Sequence, residues 1–423
     1  MTRARSLHNV RTLFLTFLPF WFFLFLFKFG GGLHYTLMAP LGEQLMPVWV
    51  VGLLLGGGSF MLLLLDVPAG HLLDRFGYRR LLKAGTAVFL LGALAFALEF
   101  NITTYLITFI VAELGWLFFS PGVSAYILSH APKEAAGRFI AFRDVFGSLG
   151  VVCASAVLGI VLAFSTQMMG AIIFGLLSCA LLALWLSPKD KHSARAEKKI
   201  DTHHHYVRRH HPLKALKIMQ SLNPASGMLL LLSLSSSIFY GLIWFVVPII
   251  IAHQATANAG LLSLGLGVFD FAIVVLGFAL GHIADKGNKR SLVFFGLLLF
   301  AVSAFVLSFN FNWLFIIFGF LATTGDEMAS ISLWSWLHQL DREHDSDGLI
   351  ASVINLAQDL GWAIGPAAAG ILYTLVGPSW TIASGALMLF ATWVIFQITV
   401  HKTPMPLAVR ITPKKPHRSR LRK

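Results

Sequence analysis

Twelve long apolar stretches, each about the length needed to cross a bilayer as α-helix, constrain this chain more than any other feature. They fall at about 13–38, 47–71, 81–100, 104–129, 138–164, 167–187, 226–252, 259–282, 291–309, 312–338, 348–375 and 379–400. About twenty helical residues span roughly 30 Å of hydrocarbon, whereas a membrane β-strand alternates in character over about ten. The runs are continuous, so helix is the reading. Of the 423 residues 57% are apolar and 12% charged, against about 25% charged in an ordinary soluble domain. Such a chain has too little polar surface to cover itself in water. The expected fold class is all-α membrane protein with twelve transmembrane helices.

The basic N-terminus followed by "TLFLTFLPFWFFLFLF" imitates a secretory signal, but it lacks a small-residue cleavage site and is long enough to span. It is read as the first retained helix. Cys153 and Cys179 both fall inside spans, so no disulfide framework is implied.

The formal charge of +13 has a one-sided distribution. Of the 32 Lys and Arg, all but Lys28 and Arg143 lie in the N-terminus, the 2–3, 4–5, 8–9 and 10–11 loops, the central loop and the C-terminal tail. Opposite loops, near Glu43, Glu99, Thr166, His253, Asn310 and Val376, hold none. Positive residues mark the cytoplasmic side, which places both termini there and requires an even number of spans. The tail "KKPHRSRLRK" therefore suits orientation and lipid headgroups, and no nucleic-acid partner is expected.

A single offset recurs along the chain. Gly70, His71, Asp74 and Arg79 of "AGHLLDRFGYRR" return 211 residues later as Gly281, His282, Asp285 and Arg290 of "LGHIADKGNKR". Gly137, Gly150 and Gly159 return as Gly348, Gly361 and Gly370 at the same distance. One six-helix unit has been duplicated in the same orientation, so the halves are related by an axis along the membrane normal. The expected organisation is an N-terminal bundle at 1–187, a basic, His-rich cytoplasmic linker at 188–225, a C-terminal bundle at 226–400 and a basic tail at 401–423. The linker has room for an interfacial amphipathic helix near Leu213–Leu222.

Six plus six helices, a long middle loop and a charged motif in both 2–3-type loops resemble the major facilitator superfamily. Its loop motif, G-x-L-A-D-R-x-G-R-K, is matched here by Gly70, Leu72, Asp74, Arg75, Gly77 and Arg79, with Tyr78 where an arginine is usual. The second copy matches through Gly281, Ala284, Asp285, Lys286 and Arg290. The resemblance implies secondary transport by rocking of two bundles, with this cluster latching them when the cytoplasmic side is closed. In that role the glycines let helices approach closely, and Asp74 and Asp285 accept from helix starts of spans 11 and 5. Asp66, eight residues before Asp74, completes the gating set near the cytoplasmic mouth.

A charge at mid-membrane costs about 2.5–3.5 kcal/mol on insertion scales, so each needs a reason. Lys28 and His34 lie in span 1, Glu113 in span 4, Arg143 and Asp144 in span 5, Asp270 in span 8, Asp326 and Glu327 in span 10 and Asp359 in span 11. Spans 3, 6, 9 and 12 hold none away from their ends, and in the family those four face lipid. Counting rise per residue puts Lys28, Asp270, Asp326 and Asp359 near the midplane, and Arg143 with Asp144 nearer the cytoplasmic mouth. These carboxylates are candidates for proton uptake and release. The competing reading is a static ion pair of Lys28 with Asp326 or Asp359. Asp326 and Glu327 point about 100° apart on a helix, so one of them, Asp326, is expected to face the cavity.

"HHHYVRRHH" at 203–211 could bind a transition metal, which keeps a metal or metal-chelate carrier as an alternative function. A non-transporting receptor or assembly protein is the other. "GWAIGPAAAG" at 361–370 resembles an antiporter motif of the superfamily but sits in span 11, where Gly-Pro is expected to kink the helix. "TTGDE" at 323–327 lacks the rest of an intramembrane aspartyl protease signature, and H-E-x-x-H, G-x-S-x-G and Walker A motifs are missing, so no enzyme, cofactor or structural metal is expected. The expectation is a monomeric, proton-coupled transporter of a small organic solute in a plasma membrane, the bacterial inner membrane in the first instance. Excess acid and Trp244, Phe245, Trp334, Trp336 and Trp362 favour an amphipathic or cationic solute, whereas Lys28 suits an anionic or zwitterionic one.

Overall fold

The computed structural model describes residues 15–130, 136–188, 224–254, 256–340 and 347–400. The histidine cluster 203–211, the Leu213–Leu222 segment and the tail 401–423 lie outside the described residues. Every described element is a helix or a short connection. In chain order they are α1 (Leu18–Glu43), α2 (Val48–Phe76), α3 (Tyr78–Leu98), α4 in two pieces (Ile102–Trp116 and Phe119–His130), α5 (Ala136–Val161), α6 (Thr166–Leu186), α7 (Pro224–His253), α8 (Thr256–Lys286), α9 (Lys289–Leu307) and α10 (Trp313–Leu340). The last run, Asp347–Val400, divides at Gly377 into α11 and α12. Eleven stretches are long and apolar enough to cross a membrane, and the final one, 46 residues long, is long enough for two. The protein is a multi-pass membrane protein.

Two local breaks have chemical causes. Span 4, expected as one helix, is interrupted at Leu117–Phe118. Pro121 lacks an N–H, and its ring collides with the carbonyl four residues back, that of Leu117. Gly77, between α2 and α3, has φ 88° and ψ 143°, and Gly377 has φ 79° and ψ 174°. A side chain rarely adopts that backbone region, and a forced residue there costs on the order of 1–3 kcal/mol. Gly77→Ala and Gly377→Ala should each lower stability by about that amount, read as unfolding of detergent-solubilised protein; unchanged unfolding would mean the turns relax freely. By contrast the α11 helix continues through Pro366 without an interruption. Pro366 packs instead, its Cδ 2.9 Å from where a Cβ on Gly241 of α7 would stand.

Large apolar side chains are exposed around the outside of the molecule. Leu91 and Leu98 on α3, Trp185 and Leu186 on α6, Phe295 on α9 and Leu387 and Ile398 on α12 are more than half exposed. An apolar belt of that extent is what hydrocarbon solvates and water does not. Helices that carry mid-span charges contribute to the belt as well, through Leu64 on α2, Ile160 on α5 and Leu375 on α11. Cores of aromatic and aliphatic side chains fill both halves, with Trp21, Phe27, Phe89 and Tyr105 in the first and Phe239, Phe300 and Leu307 in the second.

Candidate functional site

The 211-residue register reappears as two matched seams between the halves. Gly159 of α5 faces Ala259 and Ser263 of α8, and Gly370 of α11 faces Val48 and Gly52 of α2. Each of the three pairs of corresponding positions, 159/370, 48/259 and 52/263, differs by 211. A Cβ added at Gly370 would stand 2.8 Å from Val48 O and 2.9 Å from Gly52 Cα; at Gly159 it would stand 2.8 Å from Ser263 Oγ. The Gly159 N–H donates across the seam to Ser263 Oγ at 2.8 Å. Small residues permit backbones to meet this closely.

Along the same helices the seams part. A Cβ added at Gly70 or at Gly281 would meet nothing within 4 Å. The close helix approach expected of those two glycines is thus not seen among the described residues, while the halves meet at the Glu43 and His253 end, opposite the Gly77 and Asn288 end. We call these the closed end and the basic end. Asp66 is exposed, as are Leu72 and Arg75. The side chains of Asp74, Asp285 and Lys286 lie outside the described residues. Arg79 donates through Nε to Leu184 O at 3.3 Å and through Nη2 to Trp185 O at 2.6 Å. It ties α3 to the end of α6 within one bundle. The Arg75 guanidinium lies 5.3 Å from the Phe76 ring centroid. Arg290 begins α9, where its N–H donates to the Asn288 cap.

At the closed end His253 Nε2 lies 3.4 Å from Glu43 Oε2, joining α7 to α1 across the halves. Neither residue stood out in the sequence, since both sit in loops without Lys or Arg. The His253 side chain is 60% exposed, and exposed pairs contribute about 0–1 kcal/mol. His253→Ala should therefore reduce closure of this end by at most about fivefold, measured by spin-label distances across it; a larger change would show that the pair governs closure.

Mid-depth charges occupy three places. Lys28 lies on α1 with its stem along Gly147 of α5, Cγ 3.9 Å from that position's added Cβ. Its ammonium stands 4.6 Å from the Trp116 ring centroid and 5.5 Å from that of Phe119. The acids acting on it are Asp270, across the seam on α8, and Asp144. The expected pairing of Lys28 with Asp326 or Asp359 does not occur, because α8 and not α10 or α11 packs against α5 where Lys28 projects. Arg143 and Asp144 pair with each other at 2.7 Å, and Arg143 Nη1 donates to Ser124 Oγ at 2.9 Å.

Asp326 forms the second place. Its Oδ1 accepts from Ser236 Oγ at 2.7 Å and its Oδ2 from the Tyr240 hydroxyl at 2.9 Å. Both donors lie on α7 in "SLSSSIFYG", a run whose serines give a polar signal the sequence reading passed over. Glu327 is within electrostatic reach of Asp326 and, like it, partly buried. In the third place Asp359 of α11 is within reach of Asp66 of α2, two acids on opposite halves toward the basic end.

His34 and Glu113 are displaced from this set. They are 0% and 2% exposed, inside the first bundle. His34 packs edge-on to Phe89, and the Glu113 carboxyl lies against Gly58. Both His34 ring nitrogens and Glu113 Oε2 have no hydrogen-bond partner. Tyr35 Oη feels the Glu113 charge without a hydrogen bond of good geometry. The span was located correctly but the facing was not. Of the aromatics expected near the cavity, Phe245 is buried, Trp334 and Trp362 are exposed, Trp244 packs partly buried against the core and Trp336 has its side chain outside the described residues. Among the described residues no group of three or more His, Cys, Asp or Glu could hold a metal ion.

Two six-helix bundles with matched seams and charges between them define a helical membrane protein of internally repeated type. The chain belongs to the major facilitator superfamily, whose profile matches residues 20–346 and 229–422. Two MFS-type transporters of Mycobacterium tuberculosis, from strains CDC 1551 / Oshkosh and ATCC 25618 / H37Rv, are each 30% identical over 149 residues, which is 34% of this chain and 35% of theirs. The match thus spans about a third of those relatives. A D-xylose–proton symporter superposes with TM-score 0.65 at 15% identity, over 92% of this chain and 99% of that one. The xylose transporter XylE from E. coli, inward open, gives TM-score 0.65 at 13% identity over 94% and 98%. These likenesses establish the shared fold.

Proposed function

We propose that this protein is a secondary active transporter of a small organic solute, coupled to protons and working by alternating access. The basic end is cytoplasmic on the positive-inside rule, which makes the described conformation inward open. The observation that carries the reading is the pairing of mid-depth charges with seams that are shut at one end and parted at the other. A static ion pair would neutralise Lys28 directly, yet Lys28 makes no ion pair with a described residue and faces the space between the halves. Ionisable side chains within a bilayer mark pathways where water or solute reaches them.

Asp270, Asp326 and Asp359 are the coupling candidates, and the Gly70 and Gly281 motifs with Asp66, Asp74 and Asp285 form the inner latch. The domain division at 187/188 and 225/226 belongs to the same account. Reconstitution tests the reading: proteoliposomes holding the protein should accumulate solute in response to an imposed pH gradient. Solute movement that ignores the gradient would remove proton coupling; absence of any movement would favour a receptor or assembly role.

A further inference from the structure

We infer that the solute is a small zwitterion with an apolar body, of the amino-acid type, its carboxylate held by Lys28 and its ammonium by Asp270. This deepens the transporter reading and rests on it. Lys28 belongs to the first bundle and Asp270 to the second. They are close enough to feel each other's charge but form no ion pair, and neither accepts nor donates a hydrogen bond to a described residue. Both side chains are only partly buried, so both reach the space between the halves.

The other charges around Lys28 are already matched. Arg143 and Asp144 neutralise each other at 2.7 Å, and Asp326 is held by Ser236 and Tyr240. One cation and one carboxylate therefore stand opposed and unpaired at the same depth. In a low-dielectric site an uncompensated charge is costly, so the ligand of lowest cost neutralises both. An organic anion would satisfy Lys28 and leave Asp270 facing carbon. An organic cation would do the reverse. A zwitterion satisfies both, and it touches both bundles at once, which is what closing them around a solute requires.

The internal repeat sharpens the assignment. Gly150 of α5 packs on Phe25, Lys28 and Phe29 of α1, while its counterpart Gly361 packs on Leu234, Ser237 and Ile238 of α7, an offset of 209 in these helices. Ser237 is thus the counterpart of Lys28. Duplication kept a small hydroxyl in one half and has a cation in the other, so Lys28 is not needed for the packing that the repeat shares. Its ammonium rests on the Trp116 and Phe119 faces, a seat that fixes it without neutralising it. The same rings offer an apolar wall to the body of the solute.

The test is a matched series on the full chain in detergent: phenylalanine, phenethylamine, which lacks the carboxylate, and 3-phenylpropanoate, which lacks the amine, extended to the twenty amino acids. Binding is read by calorimetry or ligand-induced thermal stabilisation. The inference predicts that one or more amino acids bind and that both truncated analogues of the best binder bind about tenfold or more weaker, as expected when one member of a desolvated charge pair is left alone. In Lys28→Met the preference for carboxylate should vanish, and in Asp270→Asn the preference for amine should vanish. Equal binding of an anionic or a cationic analogue by the unaltered protein overturns the inference in favour of that class. So does failure of every amino acid to bind. Neither result touches the transporter reading, which stands or falls on pH-driven flux and on switching of the seams.

Discussion

Replacing Gly370 with valine shifts the protein out of the conformation described here. The added Cβ meets Val48 O and Gly52 Cα and N, all backbone atoms that cannot rotate aside, so α2 and α11 must separate. Overpacking of this kind costs about 1–3 kcal/mol. Each 1.4 kcal/mol is a factor of ten in a two-state balance, so closure at this end falls by about ten- to a hundredfold. Gly159→Val acts on the symmetric seam, against Ser263 and Ala259, and removes the Gly159 N–H position from its present hydrogen-bond geometry. Because the two sites are distant, their effects should add, and the double variant should be driven almost wholly to the outward-open state. Gly70→Val and Gly281→Val meet open space and should leave the described conformation intact. The informative readout for Gly370→Val is the untouched seam, spin-labelled at Phe164 of the α5–α6 turn and Leu264 of α8, both exposed. Rigid rocking lengthens that distance. A purely local wedge leaves it unchanged and would refute the two-body account.

Neutralising Asp326 should separate coupling from transport. Asp326→Asn keeps the volume and an acceptor for Ser236 or Tyr240, so the bundle folds. It removes the site that can gain and lose a proton. The expected result is a fall of about a hundredfold in pH-driven accumulation, of the order that loss of one proton-transferring group brings, with exchange of solute down its own gradient retained. Asp326→Ala should additionally destabilise the protein by about 1–3 kcal/mol for each hydroxyl left without its acceptor. Asp270→Asn and Asp359→Asn belong in the same series. Undiminished pH-driven transport in all three variants would exclude proton coupling through these carboxylates.

Much of this architecture was legible in the residues because a bilayer leaves few options. Apolar length located the spans and the 211-residue register revealed the repeat, whereas the place of Gly159 and Gly370 at the seams is a tertiary fact that the offset alone did not give. Facing was less legible. Helices of a twelve-helix protein are apolar on both lipid and protein sides, so periodicity does not distinguish a cavity position from a core one. His34 and Glu113 lie on the expected helices but turn into the first bundle. The partner of Lys28 was misassigned because it depends on which helix of the second half abuts α5, a tertiary fact. Ser236 and Tyr240 were overlooked since hydroxyls cost little in a span and draw no attention beside carboxylates. The break at Leu117 was foreseeable from Pro121, whereas the disengaged state of Gly70 and Gly281 belongs to one conformation of two.

Everything rests on Lys28 bordering a passage that opens to one face of the membrane at a time. In a background with Cys153 and Cys179 replaced by serine, Lys28→Cys should react with a membrane-impermeant thiol reagent added at the basic face and not at the opposite face. Adding Gly370→Val should reverse that preference. A cysteine at position 28 that reacts from neither face, or from the same face whether or not Gly370 is replaced, would contradict the account.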